Sequence, residues 1–83
     1  MFAASPVKRV GRHRFLRNVL IAIGNSGDPA LAASARARLG DSSPLVRAMA
    51  VWALKRLDPA SAAALRNSEG ARETDPAVRA EWA

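Results

Sequence analysis

One stretch of the sequence sets the pattern for the rest: Asp41-Ser42-Ser43-Pro44 followed by LVRAMAVWAL at 45–54. Residues that commonly cap helices precede Pro44, and proline suits the first helical turn, where no amide hydrogen bond is lost. Apolar residues then recur at helical spacing. They are Val46, Ala50, Ala53, Leu54 and Leu57. This pattern predicts a helix from Pro44 to about Leu57 with one side in the core.

The same pattern recurs before and after this stretch. A shift of thirty residues places Arg17 on Arg47 and Asp28-Pro29-Ala30 on Asp58-Pro59-Ala60. A shift of thirty-two places residues 76–80 on residues 44–48. Internal repeats of this period are typical of stacked helix pairs. The predicted fold is therefore all-α, a short α-solenoid of helical hairpins with about five helices.

Capping residues and glycines give the expected bounds of the other elements. Residues 1–11 are expected to form a basic lead-in that is extended at Pro6–Gly11, and residues 12–83 to form the repeat domain. Helices are predicted over residues 12–23, ended by Gly24, over 29–38, over 59–67 and from Pro76 onward. Residues 68–74 are expected to form a loop.

Length and composition limit the possible functions. Eighty-three residues make one small domain, and the chain has no cysteine and one histidine. Disulfides, cysteine zinc sites and cysteine-ligated iron–sulfur clusters are thereby excluded within this chain. No catalytic pair of nucleophile and base is evident. The sequence also lacks a membrane-spanning run or a signal peptide, so a cytoplasmic protein without membrane contact is expected.

The positive charge is concentrated in the first two thirds of the chain. Residues 1–56 hold ten Lys and Arg against two acids, whereas residues 57–83 hold three Arg against five acids. Such asymmetry favours a polyanionic partner, although a charge run can also be a solvated face. Candidate nucleic-acid contacts precede the first acid, Asp28, and Lys55 and Arg56 are a possible extension. The candidates are Lys8, Arg9, Arg12, Arg14, Arg17 and the neighbouring Asn18.

Arg47 is predicted to be structural, since arginine recurs at the same place in each unit, at Arg17 and Arg79. Its guanidinium is expected to bind a loop aspartate, Asp41 or Asp75, at the junction between repeats. Arg17 remains open between this role and nucleic-acid binding.

The first predicted helix has an apolar face, with Phe15 and Val19, and no hairpin partner before it. Repeat units cannot bury their faces alone. We therefore expect this face to contact another polypeptide segment outside this chain. The chain would then be either a fragment of a longer protein or one that self-associates through this end.

The units resemble the short HEAT-like repeats of phycobilisome lyases, whose recurrent pattern Asp-x-x-Pro-x-Val-Arg-x-x-Ala-x-x-Ala-Leu matches Asp41–Leu54. Most of residues 5–57 also resemble the C-terminal region of epoxyqueuosine reductase. That likeness is carried by four segments. They are SPVKR at 5–9, FLRNVLIAIGNSG at 15–27, SPLVR at 43–47 and AVWAL at 50–54.

The resemblance implies a C-terminal fragment of an oxidoreductase that completes queuosine synthesis on the wobble base of transfer RNA. It places two 4Fe-4S clusters and cobalamin in an upstream catalytic region, with no cofactor in this chain. The fragment itself is then non-catalytic, docks the anticodon stem-loop region of transfer RNA, and packs against the catalytic domain of the same polypeptide. Lys8, Arg9 and Arg12 match the family's basic lead-in, and Arg17-Asn18 its first repeat helix.

An alternative function stays open. The chain could be a HEAT-like scaffold that holds a peptide or partner domain on its concave face, with the basic residues serving only solubility.

Overall fold

The structure, a computed structural model, describes the backbone of residues 4–83 and the side chains of residues 11–83. This part of the chain is all-α, as predicted, and contains no strand. The elements follow one another along the chain. They are α1 (Ala4–Ser26), a 3-10 turn (Pro29–Leu31), α2 (Ala32–Arg36), α3 (Pro44–Leu57), α4 (Pro59–Leu65), a π-helical turn (Arg66–Gly70) and α5 (Pro76–Trp82).

Four of these elements begin with a capping side chain followed by proline. The side-chain oxygen of each cap accepts a hydrogen bond from a backbone N–H two or three residues later, which satisfies a donor that the helix itself cannot pair. The caps are Asp28, Ser43, Asp58 and Asp75. The bounds predicted for α3 are confirmed. They could be predicted because the capping residue and the proline act within a few residues of the helix start.

α3 is the central helix and packs against α1, α2, α4 and α5. Arg12 of α1 binds Asp41 just before α3, and Arg56 near the end of α3 binds the Gly24 carbonyl near the end of α1. These two contacts show that α1 and α3 run in the same direction. Contacts from Arg47 to Glu73 and from Lys55 to Glu81 show the same for α3 and α5. α1, α3 and α5 thus form one layer. α2 and α4 form a second layer that packs against α3.

The core lies mainly between α3 and the helices around it. Four of the five residues predicted to be its buried side, Val46, Ala50, Ala53 and Leu54, are fully buried, and Leu57 packs against them. A second cluster joins α3 to α5 through Val51, Val78 and Trp82. The shortest extent of the Cα atoms is 16 Å, which suits two layers of helices packed about 8–10 Å apart.

The extended lead-in predicted for Pro6–Gly11 is wrong, because α1 already begins at Ala4. Pro6 falls in the first turn, where its missing N–H is not needed by the helix. Gly11 lies in the helix interior, where glycine costs only about 1 kcal/mol relative to alanine. Neither residue is therefore sufficient to stop the helix.

Gly24 does not end α1, which continues to Ser26. The residue with the left-handed conformation is Gly27, at φ +71°. Gly24 is packed instead against Trp52: a Cβ added there would lie 3.0 Å or less from three carbon atoms of the indole ring. The glycine serves close packing of α1 on α3, and the chain turns three residues later.

Two other helices are shorter than predicted. α2 starts after a 3-10 turn and ends at Arg36. The α-helix stops there because the next backbone hydrogen bonds join residues three apart, which tightens the turn. Leu39 then packs against both core clusters. α4 ends at Leu65, and the residues expected to form a loop begin with the π-helical turn, where Gly70 lies against Trp82. Of the residues predicted as a loop, 68–74, only 73 and 74 lie outside helical structure.

Candidate nucleic-acid interface

α1 carries all six residues predicted to contact nucleic acid. It is one continuous helix, so the predicted lead-in and the first predicted helix are not separate elements in residues 4–26. The side chains of Lys8 and Arg9 lie outside the described residues, so their role stays a prediction. The other four residues differ in their surroundings.

Arg14, Arg17 and Asn18 form an exposed polar cluster on α1. At 3.6 residues per turn they fall within an arc of about 100°. The Arg17 guanidinium donates a weak hydrogen bond to Asn18 Oδ1 at 3.4 Å. Within residues 11–83, neither arginine forms a salt bridge with a carboxylate. Their charge is therefore available to an anionic partner.

Arg12 is engaged within the chain. Its guanidinium donates to both carboxylate oxygens of Asp41, at 2.6 and 3.4 Å, and the Asp41 side chain is 4% exposed. Asp41 Oδ2 also accepts from the Ser43 N–H at 2.9 Å. The hydrogen bond from Arg12 holds the pKa of Asp41 below its ordinary value. Arg12 thus ties α1 to the turn before α3, a role that sequence reasoning did not assign to it.

Arg47 also has its partners inside the protein. Its Nε and one terminal nitrogen donate to the two oxygens of Glu73, each at 3.0 Å, and its other nitrogen donates to the backbone carbonyls of Asp41 and Ser42 at 2.9 and 3.3 Å. The hydrogen bonds from Arg47 lower the pKa of Glu73. Neither Asp41 nor Asp75 supplies the expected carboxylate. The partner is Glu73, which sequence reasoning missed.

The repeat itself contains the signal for Glu73. The offset of thirty-two residues that aligns the third unit with the second places Glu73 on Asp41. Both residues stand two positions before a helix cap, and Glu73 accepts the N–H of Asp75 at 2.9 Å as Asp41 accepts that of Ser43. Each carboxylate also binds an arginine from the preceding helix of the α1–α3–α5 layer.

The other two predicted junction residues, Asp75 and Arg79, take no part in these ion pairs. Asp75 is the cap of α5, where its Oδ1 accepts from the N–H groups of Ala77 and Val78 at 2.9 and 3.2 Å. Arg79 is exposed, and its guanidinium donates no hydrogen bond to another group within residues 11–83.

Lys55 and Arg56 do not extend the cluster on α1. They lie at the far end of α3, where Lys55 donates to the Glu81 carbonyl at 2.7 Å and Arg56 to the Gly24 carbonyl at 3.0 Å. Arg56 also stacks 5.2 Å from the centre of the Trp52 ring. Gly24 and Arg56 thus cover Trp52, which leaves it poorly placed to stack on a base.

Within the described residues, no three side chains of His, Cys, Asp or Glu lie close enough to hold a metal ion. The chain contains no cysteine, so it supplies none of the thiolates that iron–sulfur clusters require. None of the described helices combines the length and apolar character needed to cross a membrane.

Two curated epoxyqueuosine reductases are similar to this chain. The one from Alicycliphilus denitrificans is 39% identical over 62 residues, which cover 65% of this chain and 17% of that protein. The one from Xanthomonas campestris pv. campestris is 41% identical over 51 residues, covering 60% of this chain and 14% of that protein. The chain thus spans less than a fifth of the length of these relatives. No protein-family model and no solved structure gives a significant match. The similarities support a relation to the epoxyqueuosine reductase family.

Proposed function

We propose that this chain is the transfer-RNA-docking module of an epoxyqueuosine reductase, built from HEAT-like helical hairpins and not catalytic by itself. It would hold the anticodon stem-loop region while the rest of the polypeptide acts on the wobble base. The similarity to two proteins named epoxyqueuosine reductase supports the family part of this proposal.

The single observation that carries the RNA part is the exposed pair Arg14 and Arg17. No acid occurs before Asp28, and these arginines form no salt bridge within the described residues. An A-form stem presents phosphates and 2′-hydroxyl groups across a shallow minor groove, so a basic helix can recognise its shape. Asn18 adds donors and acceptors suited to the hydroxyls. The base itself is left to the catalytic region.

The proposal places the two 4Fe-4S clusters and cobalamin outside this chain. Residues 1–83 contain no cysteine, which matches a division of labour in which another part of the polypeptide binds the cofactors. The catalytic domain of the same polypeptide is then the second partner of this module.

Binding of the 83-residue protein to unmodified transfer RNA tests the proposal. If Lys8, Arg9, Arg14 and Arg17 contact phosphates, a plot of log affinity against log salt should have a slope of about −2.8 to −3.6. Arg14→Gln with Arg17→Gln should reduce that slope by about 1.4–1.8. Arg66→Gln with Arg79→Gln is the matched control, since both residues lie outside α1 and the charge change is equal.

If the two double variants weaken transfer-RNA binding equally, α1 is not the docking surface. A slope near zero would favour the alternative, a protein-binding scaffold. That alternative draws support from one feature, an apolar groove lined by Phe15, Val19 and Ile23 of α1.

A further inference from the structure

The third repeat unit aligns with the second over eight residues, which places 76–83, α5 and the residue after it, on 44–51 of α3. At five of these positions the two residues are buried, half-buried or exposed alike. The five pairs are Pro44 with Pro76, Leu45 with Ala77, Val46 with Val78, Met49 with Glu81 and Ala50 with Trp82. The offset of thirty-two residues therefore matches positions that are equivalent in the structure as well as in the sequence.

Two of the three positions that differ hold small apolar residues on the side of α3 that α5 covers. Ala48 and Val51 of α3 are 7% and 1% exposed, and both belong to the cluster that joins α3 to α5. Their counterparts, Ala80 and Ala83, are exposed. An exposed strip on α5 thus corresponds to the surface of α3 on which α5 itself packs.

The third position that differs holds an arginine in both units. Arg47 binds both carboxylate oxygens of Glu73, which stands two residues before Asp75, the cap of α5. Arg79 is exposed, and it forms no salt bridge within residues 11–83. The cation that holds the start of α5 on α3 is thus repeated on α5, where the described residues provide no carboxylate for it.

We propose that the outer face of α5, formed by Arg79, Ala80 and Ala83, binds a further helical segment built like residues 73–82. Such a segment has an acidic residue two positions before its helix cap, a proline after the cap, and large apolar residues four apart on its buried side. Its carboxylate pairs with Arg79, and its apolar residues pack over the two alanines. This face lies on a different helix from the exposed polar cluster of α1, so the inference does not depend on RNA binding.

A second copy of the chain has no such segment to offer. Its own Val78 and Trp82 are 1% and 5% exposed, and its Glu73 already forms an ion pair. Releasing them would open the contact between α3 and α5 of that copy. α3 has the same arrangement, but it is the central helix and its Asp41 is also paired. The occupant is accordingly a different polypeptide segment.

A synthetic peptide of residues 70–83 provides the probe, because it contains the segment that covers α3. A staple joins peptide positions 79 and 83, which are exposed in the protein. The staple stabilises the short helix and removes from the peptide the face that would bind another peptide. NMR spectra of the isotopically labelled 83-residue protein measure the binding and locate it. We expect saturable shifts of the amide signals, centred on Arg79, Ala80 and Ala83.

Two substitutions of exposed alanines on α5 test where the peptide lies. Ala80→Arg should weaken binding at least about tenfold, because its counterpart Ala48 is buried under the helix that covers it. Ala77→Arg is the matched control, since the same change is made on the same helix and its counterpart, Leu45, remains 45% exposed on α3. It should change the affinity less than about twofold.

Charge reversal tests the ion pair. Arg79→Glu in the protein should weaken binding about threefold, whereas Arg14→Glu on α1, with the same change of charge, should change it less than about twofold. A peptide with Glu73→Arg should bind the Arg79→Glu protein at least about twofold more tightly than the original peptide does. Circular dichroism checks that every variant remains folded.

Any of five results would overturn the proposal. The first is the absence of saturable shifts up to the solubility limit of the peptide, and the second is equal weakening by Ala80→Arg and Ala77→Arg. The third is shifts centred on Ala48 and Val51, which would show that the peptide displaces α5 from α3. The fourth is no gain in affinity with the exchanged charges. The last is light scattering that shows the protein to be a dimer which Ala80→Arg dissociates, because the face would then belong to a second copy.

Discussion

At the scale of single residues, two glycines in α1 have opposite surroundings. Gly24 is packed against the indole of Trp52, whereas a Cβ added at Gly11 would meet no atom within 4 Å. Both are helical, so their substitution by alanine separates the packing requirement from helix propensity.

We expect Gly24→Ala to destabilise the protein by about 1–3 kcal/mol, because the new methyl group overlaps the Trp52 ring, which is also in contact with Arg56. Gly11→Ala should instead stabilise it by up to about 1 kcal/mol. Urea denaturation of both variants measures the difference. Similar stabilisation by the two substitutions would show that α1 and α3 do not pack this closely.

At the scale of elements, short helices depend on their caps and on a few buried side chains. α5 has seven residues, of which Val78 and Trp82 are buried, and the carboxylate of Asp75 pairs two of its first N–H groups. Isolated helices of this length are unstable in water. α5 therefore exists because its cap and its contact with α3 act together.

Asp75→Ala should lower the free energy of unfolding by about 1 kcal/mol, with faster amide exchange in α5 than in α3. Asp75→Asn, which keeps an accepting oxygen, should retain most of the stability. The backbone N–H of residue 75 can still bind Glu73 in both variants. Unchanged exchange in α5 for Asp75→Ala would contradict the importance of the cap.

At the scale of the whole molecule, two ion pairs join the helices of the α1–α3–α5 layer where α3 and α5 begin. Arg12 with Asp41 connects α1 to the start of α3, and Arg47 with Glu73 connects α3 to the start of α5. The side chains of Arg47 and Glu73 are 19% and 9% exposed, whereas Arg12 is 44% exposed and Asp41 4%, so the Arg47–Glu73 pair is the better shielded of the two.

The stability of the molecule should consequently fall in acid. The pKa values of Asp41 and Glu73 are lowered in the folded protein, so the unfolded chain takes up protons first as the pH decreases. The stabilisation is fully present above the ordinary carboxylate pKa of about 4 and is lost as the pH falls through the lower folded-state values.

Chemical denaturation at about pH 6 and at successively lower pH values below about 4 measures this loss. Glu73→Gln should be less stable than the wild type near neutrality and lose less on acidification, because one of the carboxylates whose pKa is lowered by folding is gone. An identical decline for the two proteins would exclude Glu73 as a source of the pH dependence.

The sequence determined where most helices begin and which side of α3 is buried. Capping by Ser43 or Asp75 and the spacing of Val46, Ala50 and Leu54 act within a few residues, so a linear pattern contains them. The excess of cations before Asp28 is likewise a property of the sequence.

Only the tertiary structure decided the roles of the arginines and of Gly24. Arg12 and Asp41 are 29 residues apart and Arg47 and Glu73 are 26 apart, and each pair forms because helices pack side by side in one particular register. Gly24 was predicted to end a helix, but the structure shows that it allows α1 to pack closely against Trp52. Contacts between distant residues depend on how the helices are arranged, and no local pattern encodes that arrangement.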